Sequence, residues 1–139
     1  MRTRIYNNNE QIFCEWRKRW VRLTPEEWVR QQLLHHMVEQ LGYPSSLIGV
    51  EVAIKVGEVK KRCDAVVYNQ DLQPLMLIEC KAETVPITQK TLDQALTYNR
   101  KLNVPYLILY NGPQTVFVHV PSQSASPSIP HYSTLTTEN

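Results

Sequence analysis

Asp64, Glu79 and Lys81 are the residues of this sequence whose types and spacing could carry chemistry. Residues 74–81 read PLMLIECK, a nearly continuous apolar run that ends in charge. Successive side chains on a strand point to opposite faces, so Leu75, Leu77, Glu79 and Lys81 would share one face, and Met76, Ile78 and Cys80 the other. The strand expected before it, residues 62–68 (RCDAVVY), is joined to it by the polar segment 70–73, which reads as a hairpin loop. Closing that hairpin across Asn69 and Pro74 sets Tyr68 opposite Leu75, Val66 opposite Leu77 and Asp64 opposite Glu79. Directly opposed Cβ atoms lie about 4.5–5.5 Å apart, and like charges so placed repel. A divalent cation between them resolves the conflict: Mg²⁺, with Mn²⁺ as substitute, takes one or two carboxylates plus waters and phosphate oxygens. Lys81 could then orient or help deprotonate a metal-activated water, or offset charge developing on a phosphate. A slip of one residue would turn Asp64 to the wrong face. The spacing Asp-x14-Glu-x-Lys alone also suits charged surface residues at strand ends.

The elements that must position this trio follow from patterning. Thr24-Pro25-Glu26-Glu27 opens a helix: Thr24 can cap, Pro25 suits the first helical position, and Glu27 completes a Thr-x-x-Glu capping box. The stripe Val29, Leu33, Leu34, Met37, Val38, Leu41 carries this helix to Gly42, a C-terminal stop. Residues 50–56 alternate as a strand, and 57–61 turn the chain back. A second helix is expected from about Thr88 to Leu102, burying Leu92, Ala95, Leu96 and Leu102. Strands at 106–110 and, after an Asn-Gly turn, at 115–120 close the domain. The order is helix, three-strand meander, helix, two strands. That is an α/β sandwich with a mixed central sheet flanked by two helices. Residues 1–23 read as a basic lead-in without a period, 24–120 as the domain, and the Ser/Pro/Thr-rich 121–139 as a flexible tail.

The bulk properties narrow the class. A chain of 139 residues, 42% hydrophobic and 20% charged, suits one domain with one core. No apolar run approaches the roughly 20 residues that cross a bilayer, and no apolar h-region follows the N-terminal arginines. Three cysteines without CxxC spacing indicate neither a disulfide framework nor a thiolate zinc site; Cys80 reads as a small buried hydrophobe, and a reducing cytoplasm fits. The net charge of +2 is uninformative, but Arg17, Lys18, Arg19 and Arg22 cluster before the first helix, and Lys60, Lys61 and Arg62 lie beside Asp64.

The ordered blocks LTPEEWVRQ, KKRCDAVVY, LMLIECKA and TLDQALTYN resemble the N-terminal nuclease domain of type I restriction enzyme R subunits, and more narrowly its short stand-alone bacterial relatives. The resemblance runs from about Arg17 to Val120. It implies a restriction-endonuclease-like PD-(D/E)XK fold and Mg²⁺-dependent hydrolysis of DNA phosphodiester bonds. Carried over residue by residue, Asp64 and Glu79 match the metal-binding carboxylates and Lys81 the catalytic lysine, with Cys63-Asp64 in place of the family's Pro-Asp. Glu27 matches an acidic residue that many members carry on the first helix within reach of the metal, although its capping role explains it equally. Gln94 and Tyr98 match a Gln-x3-Tyr pattern after the lysine; spaced i, i+4 on one helix face, they could touch the DNA backbone or brace the site. Lys60, Lys61 and Arg62 would help hold DNA. Glu51 and Glu83 have no motif role, and the histidines are assigned none.

The sequence contains no G-x4-G-K-[ST] loop, so no ATP is expected. The expected partners are DNA, a second copy if both strands of a duplex are cut, and restriction or repair proteins. The alternative to a nuclease is a nucleic-acid-binding or assembly module with little activity of its own.

Overall fold

The computed structural model describes residues 1–136. The helix capped by Thr24 forms as α1, Pro25–Leu41. Thr24 Oγ1 accepts from the Glu27 amide at 3.0 Å, while Gly42, in the left-handed region at φ 74°, ends the helix. A single 3₁₀ turn at Ser45–Leu47 leads into the main sheet.

The small N-terminal strands are β1 (Thr3–Tyr6), β2 (Asn9–Cys14) and β3 (Arg19–Arg22). The main sheet holds β4 (Ile48–Val56), β5 (Val59–Tyr68), β6 (Pro74–Cys80), β7 (Tyr106–Tyr110), β8 (Thr115–His119) and β9 (Ser124–Ser126). Helix α2, Gln89–Leu102, crosses over between β6 and β7, and a short α3, Tyr132–Thr136, follows β9. The six strands lie in sequence order, all antiparallel except β6 against β7. One face packs on α1 through Leu33, Leu34, Met37, Met76, Ile78 and Ile108. The other packs on α2 through Leu77, Ala95, Leu107 and Leu109. The chain is therefore an α/β sandwich on a mixed sheet, in the order the patterning gives.

The hairpin register holds where the site depends on it: Ala65 pairs with Ile78, Val66 with Leu77 and Val67 with Met76. It shifts by one at its closed end, where Tyr68 faces Pro74 rather than Leu75. The Asn69 side chain accepts from the Asp71 and Gln73 amides and builds the loop, and Leu75 joins Met76 on the α1 side instead of Leu77. The first turn of the meander is tighter than expected, a two-residue connection at Gly57-Glu58 with Gly57 at φ 61°.

Both ends differ from expectation. Residues 1–23 are not a formless lead-in but a three-stranded antiparallel sheet, turned between β1 and β2 by Asn7 and Asn8, both at positive φ. Such a two-residue turn needs φ > 0 twice, which asparagine tolerates. Residues 121–136 are not a loose tail. Strand β9 pairs with β8, Tyr43 Oη donates to the Pro130 carbonyl at 2.9 Å, and Tyr132 and Leu135 are buried against α1. These three apolar anchors, Ile129, Tyr132 and Leu135, are sparse in sequence but suffice to bind the segment down. Residues 137–139 of the expected tail lie outside the described residues.

Candidate active site

Three adjacent strands bring three carboxylates into one row. Asp64 lies at the middle of β5, one step beyond the Ala65–Ile78 pair, so Glu79 of β6 is its neighbour on one side. On the other side Val50 pairs with Ala65 and Val52 with Cys63, which places Glu51 of β4 level with Asp64. The normal alternation of β5 lapses here: Cys63 packs with the α2-side cluster and Ala65 with the α1-side cluster. Asp64 Oδ2 accepts a hydrogen bond from the Cys80 amide at 2.7 Å, which ties the carboxylate to the end of β6.

The α1 side of this row is closed by two arginines. Arg17, from the β2–β3 turn, reaches Glu27 Oε1 at 2.6 Å and also bonds Glu51. Arg30 bonds Glu27 through both nitrogen ends and approaches Glu51 at 3.3 Å and Asp64 Oδ1 at 3.5 Å. Burial opposes the charge of Glu27, yet the hydrogen bonds from Arg30 and Arg17 prevail and hold its carboxyl below the ordinary value. Glu51 is also held low: partial burial works against its charge, and Arg17, Arg30 and Arg62 outweigh it. Glu51 sits at φ 54° inside a strand, a conformation costing a non-glycine residue about 1–2 kcal/mol. Its three arginine partners stabilise it there. A cavity of about 310 Å³ opens beside this cluster, lined by Arg17, Val21, Arg22, Glu27, Arg30 and Asp64 among others.

The α2 side carries the other half. Glu79 is 8% exposed, and its Oε1 is buried with no hydrogen-bond partner. Burial first, and then the neighbouring Asp64 carboxylate, push the Glu79 carboxyl up to about 7, against the pull of Lys61 and Lys81. Burial likewise raises Asp64, opposed by the Cys80 amide and Arg30. Lys81 follows the last residue of β6, its amide fixed to the Tyr110 carbonyl at 2.9 Å. Its half-buried side chain has no ion-pair partner among the described residues. Lys61 lies over the ring of Tyr98, 5.0 Å from its centre.

The sequence-selected residues are thus partly assembled. Asp64, Glu79, Lys81 and Lys61 gather where the middle of β5 meets the end of β6, and Lys61 links Tyr98 to them. Glu27 stands apart from Glu79, with Arg30 between it and Asp64, and its oxygens are occupied by Arg17, Arg30 and Gln31. Among the described residues no bond from the Glu27 side chain returns to the Thr24 amide. Gln94 is exposed one turn before Tyr98, Lys60 is exposed, and Arg62 bonds Glu51 at 3.2 Å. Arg17, Arg30 and Glu51 were not selected. Arg30 could be found as the i+3 partner of Glu27, and Glu51 from the hairpin register about Gly57.

The donor chemistry fits a hard divalent cation. A buried carboxyl group, Glu79, adjoins the half-buried Asp64 carboxylate, and among the described residues Glu79 Oε1 lacks a hydrogen-bond partner. Among the described residues no group of three His, Cys, Asp or Glu side chains is arranged to hold an ion, so waters and substrate oxygens would have to complete the shell.

Comparison with known proteins agrees with this architecture. The profile of the family described as type I restriction enzyme R protein N terminus (HSDR_N) matches residues 25–130. No curated protein matches the chain. A fragment assigned as an HsdR subunit of a type I restriction enzyme from Vibrio vulnificus superposes with a TM-score of 0.62 at 16% identity. The match covers 83% of this chain and 25% of that one, so the chain spans about a quarter of that fragment's length. A protein of the DUF820 group from Anabaena variabilis, assigned as a nuclease, gives a TM-score of 0.55 at 10% identity over 94% of this chain and 86% of its own.

Proposed function

Because the chain belongs to the family of type I restriction enzyme R protein N termini, we propose that it is a Mg²⁺-dependent nuclease hydrolysing DNA phosphodiester bonds at Asp64, Glu79 and Lys81. The observation that carries this reading is the Asp64–Glu79 pair, with Glu79 Oε1 buried and unpartnered. Two adjoining carboxyls are destabilising without a cation and useful with one. Asp64 and Glu79 would hold the ion, which supplies positive charge for the phosphate and acidifies a water. The chain's own residues do the rest. The Cys80 amide orients Asp64, and Arg30 holds it from the α1 side. Lys81, placed next to Glu79 by the Tyr110 contact, is free to meet the attacking water or the phosphate. Lys61, Arg62 and Lys60 continue the positive edge toward the backbone of a bound strand. Restriction-system proteins are the partners in keeping with the family.

A second reading, a nucleic-acid-binding module of low activity, is favoured by Arg30, a fixed cation already beside Asp64. Incubation of supercoiled plasmid and of single-stranded DNA with Mg²⁺ or Mn²⁺, beside Asp64→Ala and Lys81→Ala, decides between them. Metal-dependent cutting lost in both variants supports the nuclease. A folded wild type that binds DNA in a salt-dependent way without cutting it supports the module.

A further inference from the structure

The outward face of the N-terminal sheet is a layer of arginines on aromatic rings. Register places Arg4 opposite Gln11 and Gln11 opposite Arg22, and Phe13 opposite Trp20. The Arg2 guanidinium lies 4.1 Å from the centre of the Phe13 ring, and that of Arg4 lies 4.3 Å from Trp20 and 4.9 Å from Tyr6. Phe13 and Trp20 meet edge to face at 5.5 Å, so the layer is continuous across the three strands. The opposite face carries Ile12 and Cys14, both fully buried against the body of the protein. Arg4 donates its Nε to Gln11 at 2.7 Å, which fixes the guanidinium plane while leaving its outer nitrogens available. Arg2 has a loose ion pair with Glu15 at 3.7 Å, and Arg22 is exposed.

Charge and shape select the partner. Residues 1–22 hold six basic side chains against two acidic ones, Glu10 and Glu15, while the whole chain carries only +2, so the remainder is net acidic. A hydrophobic partner would not require guanidiniums spread over every ring. The guanidiniums offer both a fork for phosphate and a flat face on which a base can stack, and the rings beneath hold them in place. Bases present such planes only when unpaired, and aromatic platforms in a positive setting are how single strands are held without sequence preference. The sheet lies outside the matched residues 25–130, so the family match does not account for it. It nevertheless adjoins the candidate active site: Val21 and Arg22 of β3 line the cavity beside Asp64, and Arg17 of the same β-meander enters the carboxylate cluster.

We infer that the outward face of β1–β3, through Arg2, Arg4, Tyr6, Phe13, Trp20 and Arg22, binds single-stranded nucleic acid and leads it toward the cavity beside Asp64. The site is separate from the metal chemistry and is tested without it. Fluorescence anisotropy in EDTA would use labelled oligo(dT) and oligo(U) of about 20 nucleotides and a duplex of equal length. Both single strands, or the one whose sugar is accepted, should bind more tightly than the duplex. Affinity should drop about tenfold in Arg4→Ala/Arg22→Ala and again in Trp20→Leu. Should Trp20→Leu unfold the small sheet, the exposed arginine double variant carries the test alone. Equal binding of duplex, wild-type affinity in the arginine double variant, or no binding at low salt would overturn the assignment. None of these results bears on whether metal-dependent cutting occurs.

Discussion

Arg30 touches Asp64 twice, its Nη1 lying 3.5 Å from the Asp64 carboxylate and 3.4 Å from the Asp64 backbone carbonyl. The same guanidinium clasps Glu27, so one buried cation serves a helix carboxylate and a strand carboxylate together. Removing one partner of a buried pair leaves an uncompensated charge, which costs more than the pair contributed. Arg30→Ala is expected to destabilise the protein by about 3 kcal/mol in urea unfolding. A loss below about 1 kcal/mol would show that the cluster behaves like a surface ion pair.

The metal-free protein should be more stable in mild acid than at neutral pH. Glu79 keeps its proton to about pH 7 in the folded state, against an ordinary value of 4.5. Between those values the folded chain binds more protons than the unfolded one, so stability falls as pH rises. Asp64, also raised, acts in the same sense. Glu27 and Glu51 are held low and act oppositely, but their contribution is lost only as pH falls below about 4.5. Urea unfolding in EDTA should peak near pH 5 and decline by roughly 1–3 kcal/mol toward pH 8. A profile climbing through this range would contradict the placement of Glu79.

Glu79→Gln should separate stability from activity. It removes the like-charge conflict with Asp64 while keeping the size of the side chain. Plasmid cutting should disappear, while metal-free stability at pH 8 should hold or rise by about 1 kcal/mol. A variant that is markedly less stable at pH 8 would mean that the carboxylate has a partner that stabilises its charge.

The C-terminal segment is part of the core, and Tyr132 is its principal anchor. Its ring packs edge to face with Tyr43 at 5.2 Å, and it is 6% exposed. Tyr132→Ala should cost about 3 kcal/mol in urea unfolding. A cost under about 0.5 kcal/mol would show that residues beyond β9 are dispensable.

The sequence was most legible where apolar periodicity is long and capped. Helix α1 begins and ends where Thr24 and Gly42 place it, and α2 runs from the Thr88 cap to Leu102. The hairpin register could be read through Val66 and Leu77 because both are core residues and a slip would have exposed them. It failed at Tyr68, where the Asn69 side chain, rather than the backbone pattern, shapes the turn. Strands β1–β3 escape a pattern reading because arginines and aromatic rings share one face there, in place of a clean apolar–polar alternation, although Asn7-Asn8 carries a turn signal. Arg17 was read only as one member of a basic run. Its burial depends on contacts with Glu27 and Glu51, distant in sequence, which no local pattern encodes.

The contact between Tyr43 and Pro130 joins positions 87 residues apart, and Tyr132 and Leu135 complete the layer over α1. Pro130, Tyr132 and Leu135 are synthesised after every strand of the main sheet. Until residues 129–135 have been made, helix α1 and the strands bearing Asp64 and Glu79 carry one uncovered apolar flank. Timing of synthesis, and not only the folded energy, therefore governs when this chain becomes competent: a product truncated after β9 would carry the three carboxylates yet lack the wrap that seals the layer behind them.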